Sequence, residues 1–268
     1  MPELPEVEIV RRELHRLRGS RVTSIVSNDR RVLSAHKSVV GQVIREVGRR
    51  GKWLRLELDD GLVFSHLGMT GDWTLRGPAD DALPFERLRM DVERRGKITS
   101  ARYTDSRRFG RFITTGEDIE AWRELGPDPL LEGIDEARML AILETRKRAI
   151  KEVLLDQSLL AGVGNILAIE ALWNAKIDPR TPARLMNARD VHALAEGLRD
   201  IIERTLEYDQ RMLHAMGEHA RGGVGAPFRI YGHAKEPCPR CSTTLRQIVQ
   251  GGRGTTYCPG CQKRHWQA

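Results

Sequence analysis

The chain has 268 residues, 40% of them hydrophobic and 30% charged, so it is long enough for more than one domain and too apolar to be disordered. No apolar run approaches the roughly 20 residues that cross a bilayer, and the first residues lack a signal peptide's apolar core, which predicts a cytoplasmic protein with no membrane partner. The net charge of +7, with arginines clustered at 49–50, 94–95, 107–108 and 146–148, points to a polyanion such as nucleic acid.

The first ten residues, MPELPEVEIV, admit two readings. Pro5 with its flanking glutamates suits the first turn of a helix, where the ring costs no hydrogen bond and the macrodipole favours negative charge. Pro2, once the methionine is removed, would instead present a secondary amine, with Glu3 and Glu6 close enough in sequence to handle protons. Residues 5–18 place Val7, Val10, Leu14 and Leu17 at helical spacing, and Gly19 closes the run. From 21 to about 114 the pattern changes to short strands, at 21–27, 42–47, 52–58, 61–67, 72–76, 87–92, 98–104 and 111–115. Turn chemistry such as Asp59-Asp60-Gly61 separates them, which predicts a β-sandwich or barrel.

After LGPDPL at 125–130 the pattern turns helical, with candidates at 135–145, 147–157, 164–175 and 188–206. Asn187 with Asp190 forms a capping signal for the last of these. Gly162-Val163-Gly164-Asn165 precedes the third, where free backbone N–H groups offer an anion site and tight helix packing is the competing explanation. Residues 209–226 lose periodicity and gain glycine, which reads as a mobile loop. All four cysteines follow, as the knuckles Cys238-Pro-Arg-Cys241 and Cys258-Pro-Gly-Cys261, 16 residues apart. Four thiolates in that spacing predict one tetrahedral structural Zn2+ in a small β-ribbon, with Arg253 offered near its tip.

Several of these islands together resemble one family. MPELPEVE, RRGKWL (49–54), SHLGMTG (65–71), TDSRRFG (104–110), LLDQSLLAGVGNI (154–166) and GGRGTTYCPGCQ (251–262) stand in the order and spacing of the formamidopyrimidine-DNA glycosylases. The resemblance implies an α+β multidomain protein. Residues 1–125 would form a catalytic β-sandwich with an N-terminal helix, 126–228 a helix–two-turn–helix domain carrying the lesion loop, and 229–268 a zinc finger. It implies a monomeric, bifunctional DNA glycosylase and abasic-site lyase of base-excision repair, working through a Pro2 Schiff base and β,δ-elimination on duplex DNA that contains a damaged base or an abasic site. Pro2 matches the nucleophile and Glu3 the proton-transfer residue, with Glu6 a supporting carboxylate and Lys52 grouped with them. Lys52, His66, Asn165 and Arg253 match positions around the DNA phosphates, and Lys151 one near the damaged base. Met69, Arg107 and Phe109 match the trio that fills the gap left by an extruded nucleotide.

The chain departs from the family pattern at Leu167, where tyrosine is usual, at Ile169, where an acid is usual, and at Ser106, where proline is common. Its 209–228 segment also differs from the usual lesion loop. PELPEVE and the Met69/Arg107/Phe109 set favour oxidised purines over the pyrimidines of the sister endonuclease VIII-type enzymes. The competing functions are the same lyase chemistry on another lesion, such as an oxidised pyrimidine or a bulky or alkylated base, and a lesion-binding protein without turnover.

Overall fold

The computed structural model describes residues 2–216 and 227–263. It divides into two compact units, Met1–Glu124 and Leu125–Ala268.

The first unit begins with helix α1 (Leu4–His15), which buries Leu4, Val7, Val10 and Leu14 along one face. Strands β1 (Arg21–Ser27), β2 (Leu33–Ala35), β3 (Ile44–Arg50), β4 (Trp53–Leu58), β5 (Gly61–His66), β6 (Asp72–Arg76), β7 (Glu86–Arg94), β8 (Lys97–Thr104) and β9 (Arg111–Thr115) follow, with a short α2 (Glu120–Arg123) at the end. They form two sheets, in the orders β1-β7-β8-β6 and β2-β9-β5-β4-β3. The inner faces share one core, which includes Val22, Trp73, Met90 and Tyr103 from the first sheet and Val47, Leu54, Val63 and Phe112 from the second. This is the face-to-face packing of a β-sandwich. Trp73, in the middle, donates its indole N–H to Ser65 Oγ in the opposite sheet at 3.0 Å, so the buried ring leaves no unpaired donor. Strand β2 has no counterpart among the expected strands. Its three residues pair in parallel with β9 and carry too little alternation to stand out.

The second unit contains α3 (Glu136–Glu144), α4 (Ile150–Leu154), α5 (Asn165–Asn174) and α6 (Ala188–Met216), then the hairpin β10 (Arg246–Gln250) and β11 (Arg253–Tyr257). Helix α4 is much shorter than the expected 147–157: Ala149 is extended at its start, and the chain turns at Leu155. Helix α6 starts on the foreseen box, with Asn187 N–H donating to Asp190 Oδ2 at 3.1 Å and Asp190 N–H to Asn187 Oδ1 at 3.0 Å. It then runs on to Met216, so 209–216 is helix rather than loop. The reason is burial at continuing helical spacing: Ile201, Thr205, Tyr208 and Asp209 all face inward, and two of the four are polar or ionisable enough to mask the pattern. The rest of the expected loop, 217–226, lies outside the described residues. No helix among the described residues is long and apolar enough to cross a membrane.

Candidate active site

The start of α1 gathers the three residues foreseen there. Pro2 and Glu3 are buried, Glu3 to 1% exposure, and Pro5 occupies the first turn. Glu3 and Glu6 close a reciprocal capping box. The Glu3 amide donates to Glu6 Oε2 at 2.9 Å, and the Glu3 carboxylate accepts from the Glu6 backbone. Burial pushes the Glu6 carboxyl up to about 7, and the charge of Glu3 adds to that. The buried Pro2 thus adjoins a carboxylate pair of which Glu6 exchanges protons near neutrality.

Glu8 fixes this helix end in place. Its carboxylate accepts from Arg49 Nε at 3.1 Å, and Arg49 in turn donates to Gly51 O at 3.0 Å, in the β3–β4 turn. Burial works to raise the Glu8 carboxyl, but hydrogen bonds and charge from Arg11 and Arg49 outweigh it and hold it low. A buried pair of this kind is costly to break on one side only, so it sets position as well as stability.

That turn carries Lys52, and the register carries the rest. Trp53 pairs with His66, and His66 with Arg111, so Lys52, His66 and Arg111 cluster at one end of the five-stranded sheet. The His66 ring packs on Trp53 with centroids 4.9 Å apart, and its Nδ1 accepts from Gly68 N–H at 3.1 Å. Burial drives the His66 pKa down to about 4, and the charges of Lys52 and Arg111 push the same way. The ring is therefore neutral at pH 7, with Nε2–H left as a donor suited to a phosphate oxygen.

The two loops that leave this same sheet end carry Met69 and Arg107–Phe109. They are locked back to back. A Cβ on Gly68 would lie 2.6 Å from Gly110 N, and one on Gly110 would lie 1.7 Å from the Tyr103 hydroxyl, so neither position admits a side chain. Asp105, fully buried, accepts from Phe109 N–H and Gly110 N–H, both at 2.9 Å, and from Arg107 N–H at 3.1 Å. Burial works to raise its carboxyl, and the Thr70 hydroxyl with the backbone amides overcomes it, leaving the group below the usual carboxylate range. Phe109 stands 53% exposed, with the Arg107 guanidinium 4.9 Å above its ring centroid. Arg108, at φ +60°, turns the other way and pairs with Asp29.

In the second unit, Asn165 opens α5 and donates Nδ2 to Gly254 O of the hairpin at 3.1 Å. Gly251 and Gly252, at φ +56° and +71°, form the two-residue turn of type I′ that joins β10 to β11, and Arg253 follows them, exposed. Lys151, on α4, is fully buried. Its backbone N–H reaches Pro179 O, the carbonyl that also accepts from Gln250 Nε2 at 2.9 Å. Lys151, Asn165 and Arg253 therefore share one neighbourhood. Gln157 shapes the glycine turn before α5, donating to Val163 O at 2.8 Å and accepting from Gly162 N–H at 2.9 Å.

The four cysteine sulfurs lie within 4.8 Å of one another, with Cys238–Cys261 at 3.9 Å and Cys241–Cys258 at 3.5 Å. A tetrahedron of thiolates around Zn2+ at 2.3 Å has edges of about 3.8 Å, so the set fits one structural ion with no open position. The Trp173 indole donates to Cys238 Sγ at 3.5 Å, the outer-shell support that metal thiolates use. Arg240, inside the first knuckle, stacks on Trp173 at 4.0 Å and donates to its carbonyl at 2.9 Å, which docks the knuckle on the end of α5. Ile169 lies in the apolar cluster beneath the knuckles, and Leu167 is likewise buried, so both departures from the family pattern are interior packing positions.

Sequence reasoning passed over Asp105, Glu8 and Gln157, and it counted Arg49 in a cluster facing a polyanion, whereas Arg49 is buried and paired with Glu8. Only Asp105 had a local signal, an Asp two residues ahead of a turn amide. The others act on partners far away in the chain or on backbone, which spacing does not reveal.

Residues 1–112 match the model of the formamidopyrimidine-DNA glycosylase N-terminal domain, 125–216 that of its H2TH domain, and 235–264 that of the zinc finger found in FPG and IleRS. The formamidopyrimidine-DNA glycosylase of Geobacter metallireducens is 36% identical over 272 residues, covering 98% of this chain and all of the relative. That of Stutzerimonas stutzeri is 35% identical over 273 residues at the same coverage. A solved structure of MutM in complex with carbocyclic 8-oxo-G containing DNA matches with a TM-score of 0.85 at 32% identity, over 98% of this chain and all of that one. The Lactococcus lactis protein bound to a FAPY-dG containing DNA matches with the same score at 31% identity and the same coverage.

Proposed function

The chain belongs to the formamidopyrimidine-DNA glycosylase family, and on that premise we propose that it excises oxidised purines from duplex DNA and then cleaves the strand at the resulting abasic site. The observation that carries this reading is the start of α1. There a buried Pro2 adjoins a Glu3–Glu6 carboxylate pair, and the same helix is tied through Glu8 and Arg49 to the β3–β4 turn, at the sheet end whose loops carry Met69, Arg107 and Phe109.

A base inside a duplex cannot be reached, so the nucleotide must be turned out of the stack, at a cost of a few kcal/mol. Phe109 wedges the neighbouring step, Arg107 satisfies the edge of the orphaned partner base, and Met69 fills the space left behind. The Pro2 amine, free once Met1 is removed, attacks C1′ of the deoxyribose. The C1′–N bond to the base breaks, and the base leaves with a proton. The C1′–O4′ bond then opens, O4′ taking up a proton, and the ring-opened iminium that results acidifies the C2′ proton. Its removal by Glu3 expels the 3′ phosphate, and a second elimination expels the 5′ phosphate. Glu6, titrating near 7, supplies or accepts the proton that Glu3 exchanges.

Neutral His66 and Lys52 grip phosphates on one unit, and Asn165 and Arg253 do so on the other, with Lys151 near the extruded base. Zn2+, held by Cys238, Cys241, Cys258 and Cys261, supplies the rigid base from which the hairpin projects Arg253. The relatives solved with 8-oxo-G and FAPY-dG DNA support the choice of oxidised purines. We read residues 1–125 as the catalytic domain, 126–228 as the helix–two-turn–helix domain and 229–268 as the finger, in a cytoplasmic monomer.

Borohydride trapping tests this on three duplexes, carrying 8-oxoguanine opposite cytosine, an oxidised pyrimidine, or an abasic site. The expected result is a covalent adduct on the 8-oxoguanine duplex that disappears with Pro2→Gly. Trapping on the abasic duplex alone would leave a lyase without this base specificity, and no trapping would leave a DNA-binding protein.

A further inference from the structure

We propose that Asp105, Thr70 and Ser106 form a clasp that makes the Met69 loop and the Arg107–Phe109 loop a single rigid wedge, so that Asp105 is a positioning residue for nucleotide extrusion. The inference rests on the reading that Met69, Arg107 and Phe109 occupy the vacated space.

The Thr70 hydroxyl is the joint between the loops. Its one proton goes to Asp105 Oδ1, and its lone pairs accept from Ser106 Oγ and from Arg107 N–H, both at 3.2 Å. Both carboxylate oxygens of Asp105 are engaged. Oδ1 takes Thr70 and Arg107 N–H, while Oδ2 takes Phe109 N–H, Gly110 N–H and, at 3.4 Å, the Tyr103 hydroxyl. The Asp105 backbone is held too, its N–H on Phe85 O at 3.0 Å and its carbonyl on Arg87 Nε at 2.9 Å. The same Tyr103 hydroxyl lies 3.3 Å from Leu67 O, two residues before Met69, so its one proton is shared between that carbonyl and Asp105 Oδ2.

The arrangement has an electrostatic purpose as well as a geometric one. Three backbone amides of the 107–110 loop point inward at one anion, so the loop's side chains at 107 and 109 point outward. Ser106 adds a hydroxyl that a proline at this position would lack. A wedge ordered before DNA arrives loses little conformational freedom on insertion, and the gain appears in the extrusion step alone.

Asp105→Asn tests this, because the amide keeps the shape but cannot accept on both sides. Thr70→Val, which removes only the joint, is the second variant in case the first fails to fold. Each is measured for excision of 8-oxoguanine, for strand cleavage at a preformed abasic site where no base must be unstacked, and for the fluorescence of 2-aminopurine beside the lesion. The expected result is a loss of excision on the order of 10- to 100-fold with a matching loss of the 2-aminopurine signal. Abasic cleavage should stay within about threefold, the gap a positioning role leaves. Equal losses on both duplexes together with a lowered melting temperature, or no loss on either, would overturn the clasp. Phe109→Ala is the control for the underlying reading: if it leaves excision and fluorescence intact, the wedge itself is wrong and the clasp falls with it.

Discussion

At the scale of single residues, the sharpest consequence concerns Glu6. Its folded pKa of about 7 lies above the ordinary 4.5, so the native state holds a proton that the unfolded chain has released across that interval. Stability should therefore fall as pH rises from about 4.5 to 7, the sign set by the native state binding more protons. Urea melts over this range should show the slope in the parent protein and a flatter one in Glu6→Gln. The difference should amount to a few kcal/mol at the upper end, from about 1.4 kcal/mol per pKa unit. A variant that tracked the parent at every pH would show that Glu6 is ionised throughout. The residues proposed to carry chemistry stood out in the sequence because each sits in a contiguous motif whose residue types are unusual: a proline at position 2, paired arginines before Phe109, and cysteines in knuckles. Asp105 was not legible as a hub. Its partners Thr70, Phe85 and Arg87 come from other strands and loops, and only folding brings their donors to one carboxylate.

At the scale of elements, the hairpin of β10 and β11 depends on backbone geometry more than on side chains. Gly252 has φ +71° with open space around the position a Cβ would take, so a substitution there meets strain and no clash. Gly252→Ala should cost the turn about 1–2 kcal/mol, the left-handed penalty of an L-residue. Lesion-duplex affinity should weaken while the zinc content, measured by metal analysis, stays at one ion. Loss of the metal in that variant would mean that the turn and the knuckles fold as one unit. The elements themselves were read well where periodicity was strong, as in α1, α5 and the strands of the sandwich. They were misread where burial used polar residues, as at Thr205 and Asp209 in α6, or where a strand was only three residues long, as in β2.

At the scale of the whole molecule, the net charge of +7 gives binding a strong dependence on salt. A plot of log affinity against log salt should be steep for the parent on any duplex. Arg253→Ala, which removes one exposed guanidinium, should lower the slope by about 1 without changing the preference for damaged over undamaged DNA. An altered preference with an unchanged slope would place Arg253 on a base rather than a phosphate. Glu170 acts at this scale too. Its carboxylate, rooted in α5 and 1% exposed, accepts from the amides of Arg229, Ile230 and Tyr231 at 2.8, 2.9 and 2.7 Å. Residues 229–231 are thus fastened to α5 through their backbone amides, and these three bonds use no side chain of the segment they hold. The approach to the finger is anchored by one acid, whatever side chains residues 229 and 231 carry.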